Sequence, residues 1–188
     1  VIFKKKIKFI GLTEYFGFIN KKSTIMLMYG EKFSIIPLTT HVNLKKVNKI
    51  FRSNSIDNSI KIILINIKRE LYKLNFNHIY ILCYNPHCGE EGTLGDEDNI
   101  IKKSIKKYRT IKGPFPADSA FNKIRNNTLF ISMYHDQALI PFKILNKESF
   151  NLTLGLNFRR LSPAHGTAKD IRNKNLASNK SYLKCLLF

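Results

Sequence analysis

The chain has 188 residues, 44% hydrophobic and 12% aromatic, with 32 Lys and Arg against 13 Asp and Glu for a net charge of +19. That is enough chain and apolar content for one well-buried domain, or a domain and part of another, and it excludes intrinsic disorder. The charge invites a nucleic-acid reading, but 25 Lys and 25 Ile beside 7 Arg and 6 Ala follow AT-rich codons, and the lysines are scattered without aromatic interleaving, so nucleic acid is not an expected partner.

Residues 23–29 and 33–39 are apolar runs joined by Gly30-Glu31, which predicts a β-hairpin. From Ser55 onward, Ile60, Ile63, Leu64, Ile67, Leu71 and Leu74 fall at helical spacing, with Asp57 near the start. Residues 78–84 form a short buried-strand pattern that runs straight into Asn85-Pro86-His87. Residues 96–108 read as a helix, with Asp96, Glu97 and Asp98 in the first turn and Lys106 and Lys107 in the last, matching the helix dipole. Residues 129–133 are strand-like and lead into Tyr134-His135-Asp136, and residues 151–156 are a further candidate strand. Helices alternating with short apolar strands predict an α/β layered fold. Ligands in such sheets collect just beyond the carboxyl ends of strands. No repeat or linker divides the chain.

No stretch approaches the roughly 18–20 uninterrupted apolar residues of a membrane helix. The basic start (Lys4, Lys5, Lys6, Lys8) has neither the apolar core nor the cleavage site of a signal peptide. A cytoplasmic location and no membrane partner are expected. The cysteines Cys83, Cys88 and Cys185 show no CxxC spacing and form no even framework, which fits a reducing compartment. The first residue is Val, so an upstream segment is expected.

Of the five histidines, His41, His78, His87, His135 and His165, none lie three to five residues apart, which excludes a local HExxH clip. His41, His87 and His135 each follow a predicted strand. Three imidazoles gathered from separate strand ends can hold a divalent ion and leave a position open for substrate. From the residues alone, the simpler reading is that each histidine is a cap or a satisfied surface residue.

Five ordered segments carry a resemblance. Asn85-Pro86-His87-Cys88-Gly89-Glu90-Glu91-Gly92-Thr93-Leu94-Gly95 resembles the NPHAGEGGxxG stretch of the 4-hydroxythreonine-4-phosphate dehydrogenases. Gly113-Pro114-Phe115-Pro116-Ala117-Asp118-Ser119 resembles their GPxPADT segment, and Tyr134-His135-Asp136-Gln137-Ala138-Leu139-Ile140-Pro141-Phe142-Lys143 their YHDQALIPxK. Asn151-Leu152-Thr153-Leu154-Gly155-Leu156 is similar to NxTLGLP, and Thr39-Thr40-His41-Val42-Asn43-Leu44 to TTHxPL. The likeness is collinear from about Gly11 to Asp170.

The resemblance implies an isocitrate/isopropylmalate dehydrogenase-like α/β/α layered fold that here lacks much of the N-terminal lobe. It implies a metal- and substrate-binding lobe over 1–160 with a dimerisation hairpin near 23–40, then an NAD loop and C-terminal segment over 161–188. His41, His87 and His135 match the histidines that bind one divalent ion (Zn, Mg or Co) in a site shared between the subunits of a homodimer, and with Lys143 they make the implied catalytic set. Thr13, Lys143, Asn151 and Arg160 match residues that hold a small phosphorylated amino-acid substrate. His165, Gly166, Thr167, Ala168 and Asp170 match the HGTAxD loop that contacts NAD. Asp136 is expected either to orient a ligand histidine or to cap a helix, and a role for Asp118 is left open. The implied reaction is NAD- and metal-dependent oxidation of 4-phosphohydroxy-L-threonine in vitamin B6 biosynthesis.

The sequence departs from the family at several points. Leu12 replaces a substrate-contacting histidine and cannot form its hydrogen bond. Ala164 stands where the family carries Asp. Arg172-Asn173-Lys174-Asn175 replaces an AGKG run, and loss of the glycines is expected to forbid positive-φ turns there. Two further readings therefore stand beside the enzyme: an inactive fragment or relic, and a basic nucleic-acid-binding protein on the same scaffold.

Overall fold

The structure is a computed structural model and describes residues 11–53, 56–164, 171 and 173–188. In chain order it contains α1 (Leu12–Ile19), β1 (Ile25–Tyr29), β2 (Ser34–Pro37), α2 (Leu44–Ser53), α3 (Ile56–Ile67), β3 (His78–Leu82), α4 (Glu97–Ile105) and β4 (Ile111–Phe115). These are followed by α5 (Ala117–Ala120), β5 (Thr128–Ser132), α6 (His135–Leu145), β6 (Phe150–Leu154), β7 (Arg160–Pro163) and α7 (Lys180–Leu187). The strands form one sheet in the order β4-β3-β5-β2-β1-β6-β7. β4, β3, β5 and β2 are parallel neighbours, while β1 runs against β2 and β6, and β7 against β6.

The central strands explain their own sequences. β5 (Thr-Leu-Phe-Ile-Ser) is buried at every position and β3 at all but the first, as strands covered on both faces must be. On one face, Ile79, Ile81, Leu129, Ile131 and Leu152 pack against α3 and α4. Helix α3 supplies Ile56, Ile60, Ile63 and Ile67, a single stripe at i, i+4, i+7 and i+11. On the other face, Tyr80, Leu82, Phe130, Met26 and Met28 meet Ala120 of α5 and Ala138, Leu139 and Phe142 of α6. Phe33 sits edge-on to both Phe130 (5.4 Å) and Phe142 (5.7 Å). The α/β/α layering is the one predicted.

The 23–39 hairpin forms, with Met28 opposite Ile35. Both strands are internal to the sheet, so their backbones are already paired on each side. Asn146 holds the tip by accepting from the Lys32 amide at 2.8 Å. The helix predicted from Ser55 stops at Ile67 rather than running on to Leu74. A short 3-10 turn, Glu70–Tyr72, follows, and its buried Tyr72 hydroxyl donates to the Leu156 carbonyl at 2.9 Å. Every described lysine is exposed, as solvated charge should be. No helix among the described residues is long and apolar enough to cross a membrane.

Candidate metal centre and substrate site

β3, β5 and β2 are adjacent and parallel, so their carboxyl ends leave the sheet at one edge, where ligands gather in such folds. The chain continues from them into His87, His135 and His41. Those ends are bound to one another. The Leu38 amide donates to Ser132 O at 2.8 Å, and the Thr39 hydroxyl to Met133 O at 2.8 Å. Gln137 bridges the other pair: its Oε1 accepts from the Met133 amide and its Nε2 donates to Cys83 O, both at 2.8 Å.

His41 and His135 converge, with ring centroids 5.7 Å apart, on a cavity of about 230 Å³ that Thr40, Val42, Tyr134 and Asp136 also line. Each ring faces a carboxylate through Nδ1: Asp136 Oδ1 at 2.7 Å from His135, and Glu14 Oε1 at 3.6 Å from His41. That leaves both Nε2 atoms for a ligand, the arrangement in which outer carboxylates orient metal-binding imidazoles. With metal–nitrogen distances of about 2.1 Å, two imidazoles on one ion have centroids roughly 5–6 Å apart. The observed spacing fits. Asp136 thus turns to His135, and no side chain caps α6.

Glu14 is held through one oxygen. Its Oε1 accepts from the Thr40 hydroxyl at 2.5 Å, and its Oε2 is buried with no hydrogen-bond partner among the described residues. A Cβ at Gly11 would stand 2.5 Å from that Oε2 and 2.8 Å from the His41 ring, so only glycine lets the start of α1 approach the histidine this closely.

His87 does not join the pair. It is exposed and opens a run of five left-handed residues, from His87 (φ 48°) through Glu91 (φ 56°). Among the described residues, no three His, Cys, Asp or Glu side chains come together to hold a metal. The cysteine expectation also needs correcting. Cys83 and Cys88 are paired as a disulfide, because the turn through Asn85-Pro86-His87 folds the chain back until their Cα atoms are 5.1 Å apart. Cys185 is free.

The turn hangs from an anchored stem. Buried Asp98 accepts from the Tyr84 and Asn85 amides at 2.7 and 3.1 Å, and Glu97 Oε2 accepts from Asn85 Nδ2 at 2.8 Å. Asn48 and Arg52 of α2 donate to Glu97 Oε1. The Asn85 amide, with help from Asn48 and Arg52, holds the Glu97 carboxyl down at about 2, against the opposing effect of burial.

The residues expected to hold substrate cluster in part. Thr13 is buried, with its hydroxyl 3.5 Å from that of Thr153, which also accepts from Arg160 Nη1 at 3.3 Å. Arg160 lies over the Phe16 ring at 5.7 Å and has no ion-pair partner among the described residues. Burial lowers its pKa below the usual arginine value. Asn151 is two residues before Thr153 on β6, and its Oδ1 is buried without a hydrogen-bond partner among the described residues. A cavity of about 240 Å³ joins Thr13, Glu14, Thr24 and Ser59 to Thr40, which also lines the histidine cavity. Lys143 is exposed in the last turn of α6, Asp118 is exposed in α5, and Leu12 is 49% exposed. Sequence reasoning passed over Glu14, Thr40, Gln137 and Thr153, although each lies inside a quoted motif or beside a named residue.

His165, Gly166, Thr167, Ala168 and Asp170 lie outside the described residues. Beyond them, the expected loss of positive-φ turns is overturned. Asn173 (φ 64°) and Asn175 (φ 51°) both adopt the left-handed conformation, which asparagine tolerates better than other non-glycine residues. Ala164 packs, half-buried, against the α6 face of the core.

A three-layer α/β/α sheet with a carboxylate-backed histidine pair at its parallel carboxyl edge, and a half-buried arginine on β7 with no ion-pair partner among the described residues, defines an α/β protein. Comparison with known proteins gives the family. A model described as pyridoxal phosphate biosynthetic protein PdxA matches residues 1–188, and the chain belongs to that family. It is 41% identical over 171 residues to the 4-hydroxythreonine-4-phosphate dehydrogenase of Hydrogenobaculum sp. (strain Y04AAS1), covering 90% of this chain and 54% of the relative. With the enzyme of that name from Wigglesworthia glossinidia brevipalpis it shares 39% identity over 189 residues, 96% of this chain and 57% of the relative. The crystal structure of the Klebsiella pneumoniae 4-hydroxythreonine-4-phosphate dehydrogenase superposes with a TM-score of 0.73 at 29% identity, covering 95% of this chain and 56% of that one. The chain therefore spans little more than half the length of these relatives.

Proposed function

We propose that this chain is the metal- and substrate-binding part of a 4-hydroxythreonine-4-phosphate dehydrogenase. The reaction is NAD-dependent oxidation of 4-phosphohydroxy-L-threonine, followed by decarboxylation to 3-amino-2-oxopropyl phosphate, in pyridoxal phosphate biosynthesis. The observation that carries this reading is the His41–His135 pair, each ring backed by a carboxylate and the pair sharing Thr40 with the cavity that holds Thr13.

His41 and His135 fit as two ligands of a divalent ion (Zn, Mg or Co), and His87 is the proposed third. When bound, such an ion supplies Lewis acidity that lowers the pKa of the substrate hydroxyl. Asp136 orients the His135 ring through Nδ1, and Glu14 places a carboxylate 3.6 Å from Nδ1 of His41. Arg160, seated by Thr153 and Phe16, offers a desolvated cation to the phosphate, and burial strengthens that attraction. Thr13 and Asn151 bring polar atoms to the same region, and Lys143 is proposed to meet the substrate from α6. NAD is proposed to contact the segment that contains His165–Asp170, and when bound it would supply the hydride acceptor. A homodimer that shares the ion site between subunits is also proposed; Leu44, which lines the histidine cavity, is 64% exposed, and Ile140 and Ile144 of α6 are 59% and 68% exposed.

The test is NADH formation from 4-phosphohydroxy-L-threonine with added Zn²⁺, Mg²⁺ or Co²⁺. Turnover lost in His135→Ala supports the proposal. Unchanged turnover in that variant refutes it. No turnover by the chain alone, with turnover restored by the relatives' upstream segment, identifies a part of a larger enzyme.

A further inference from the structure

The sheet edge opposite β7 carries another cavity, of about 430 Å³, that the proposed reaction does not use. β4 is the terminal strand there, and α5 is only four residues long, so the helical layer leaves part of this edge uncovered. Lys112 of β4 is the cross-strand partner of Tyr80 on β3, and His78 lies two residues before Tyr80. All three side chains therefore share one face of the sheet. Phe115 ends β4, the 3-10 turn Phe121–Lys123 brings Lys123, and the turn before β5 brings Arg125. That last turn is fixed. The Thr128 hydroxyl donates to Arg125 O at 2.8 Å and accepts from the Arg125 amide at 3.0 Å, and Asn127 O accepts from the Asn77 amide at 3.0 Å.

Three cations thus meet over an aromatic floor. Lys112, Lys123 and Arg125 have no ion-pair partner among the described residues, and no described Asp or Glu lines the cavity. Lys123 Nζ lies 4.8 Å from the centroid of the Phe115 ring. The His78 and Tyr80 rings are parallel within 10°, with centroids 6.1 Å apart. Tyr80 is 7% exposed, and its hydroxyl has no hydrogen-bond partner among the described residues. Like charges gathered without a counter-ion repel one another, so an anion placed among them gains both Coulomb energy and charge-assisted hydrogen bonds. A phosphate group fills only part of such a volume, and the walls that remain are rings, which favour a flat apolar group.

We infer that this cavity binds a small aromatic phosphate ester, at a site separate from the metal centre. Its phosphate sits among Lys112, Lys123 and Arg125, and its ring packs against His78 and Phe115. The site uses neither the His41–His135 pair nor Arg160, so it stands or falls independently of the proposed reaction.

Phenyl phosphate is the probe, titrated into the full chain at fixed ionic strength and followed by calorimetry. Glycerol 3-phosphate lacks the ring. Lys112→Gln/Arg125→Gln is expected to weaken phenyl phosphate binding about tenfold or more, while His135→Ala and Arg160→Gln leave it unchanged. Glycerol 3-phosphate is expected to bind the wild-type chain about threefold to tenfold more weakly than phenyl phosphate. Lys102→Gln/Lys103→Gln, which removes the same charge from exposed positions on α4, is expected to bind like wild type. Equal weakening in the two double variants marks a general effect of charge and overturns the site. Binding lost in Arg160→Gln but kept in Lys112→Gln/Arg125→Gln places the probe in the substrate site and overturns it as well. Equal affinity for the two esters overturns the aromatic assignment.

Discussion

Gln137 is the most economical place to disturb the strand-end geometry, because one side chain joins the ends of β3 and β5. Gln137→Ala removes the acceptor for the Met133 amide and the donor for the Cys83 carbonyl, both at 2.8 Å. Met133 is 0% exposed and Cys83 1%, so water has little access to replace either partner. A buried polar group left unpaired costs about 1–3 kcal/mol, and two of them, with the carbonyl the cheaper, come to about 3 kcal/mol. For a chain of this size each kcal/mol moves the melting temperature by roughly 2–4 °C, so a fall of about 6–12 °C is expected in thermal unfolding followed by circular dichroism. Since His87 and His135 ride on the two joined ends, Zn²⁺ affinity is expected to fall too. A melting temperature within 2 °C of wild type, with unchanged Zn²⁺ affinity, refutes the reasoning.

Two other expectations are as direct. Glu97 titrates at about 2 in the folded chain against an ordinary 4.5, so its stabilisation is complete above the unfolded value and fades as pH falls towards 2. Glu97→Gln is expected to cost up to about 3 kcal/mol in urea unfolding at neutral pH, with the gap to wild type closing in acid; a gap independent of pH contradicts this. Arg160→Gln removes the half-buried cation from beside Thr153, and the KM for 4-phosphohydroxy-L-threonine in the complete enzyme is expected to rise roughly 10- to 100-fold. An unchanged KM dissociates Arg160 from the phosphate.

The parts of the fold legible in the sequence were those whose patterns are set by burial alone. The strands at 78–84 and 129–133, the hairpin and the isoleucine stripe of α3 all declare themselves by apolar period. Helix α2 was passed over, although Leu44, Val47, Ile50 and Phe51 fall at helical spacing among its polar residues. β4, interrupted by Gly113-Pro114, and the edge strand β7, which is only half-buried, did not declare themselves. At the site, His41 and His135 were found from motif and strand-end position. Their pairing depends on β2 and β5 being neighbours, a long-range fact that no local pattern encodes. The placing of His87 was missed for a related reason. The cysteines were judged by spacing, whereas a turn of left-handed residues decides that Cys83 and Cys88 meet. Asn173 and Asn175 taught the opposite lesson, because losing glycine did not mean losing the conformation.

The central claim is that the paired histidines at the carboxyl edge hold a divalent ion. Zn²⁺ stoichiometry and affinity of the chain, measured by equilibrium dialysis for wild type, His41→Ala and His135→Ala, test it most directly. One ion per chain in the wild type, bound at least tenfold more weakly in each variant, is the predicted result. Wild-type affinity retained in both variants contradicts it.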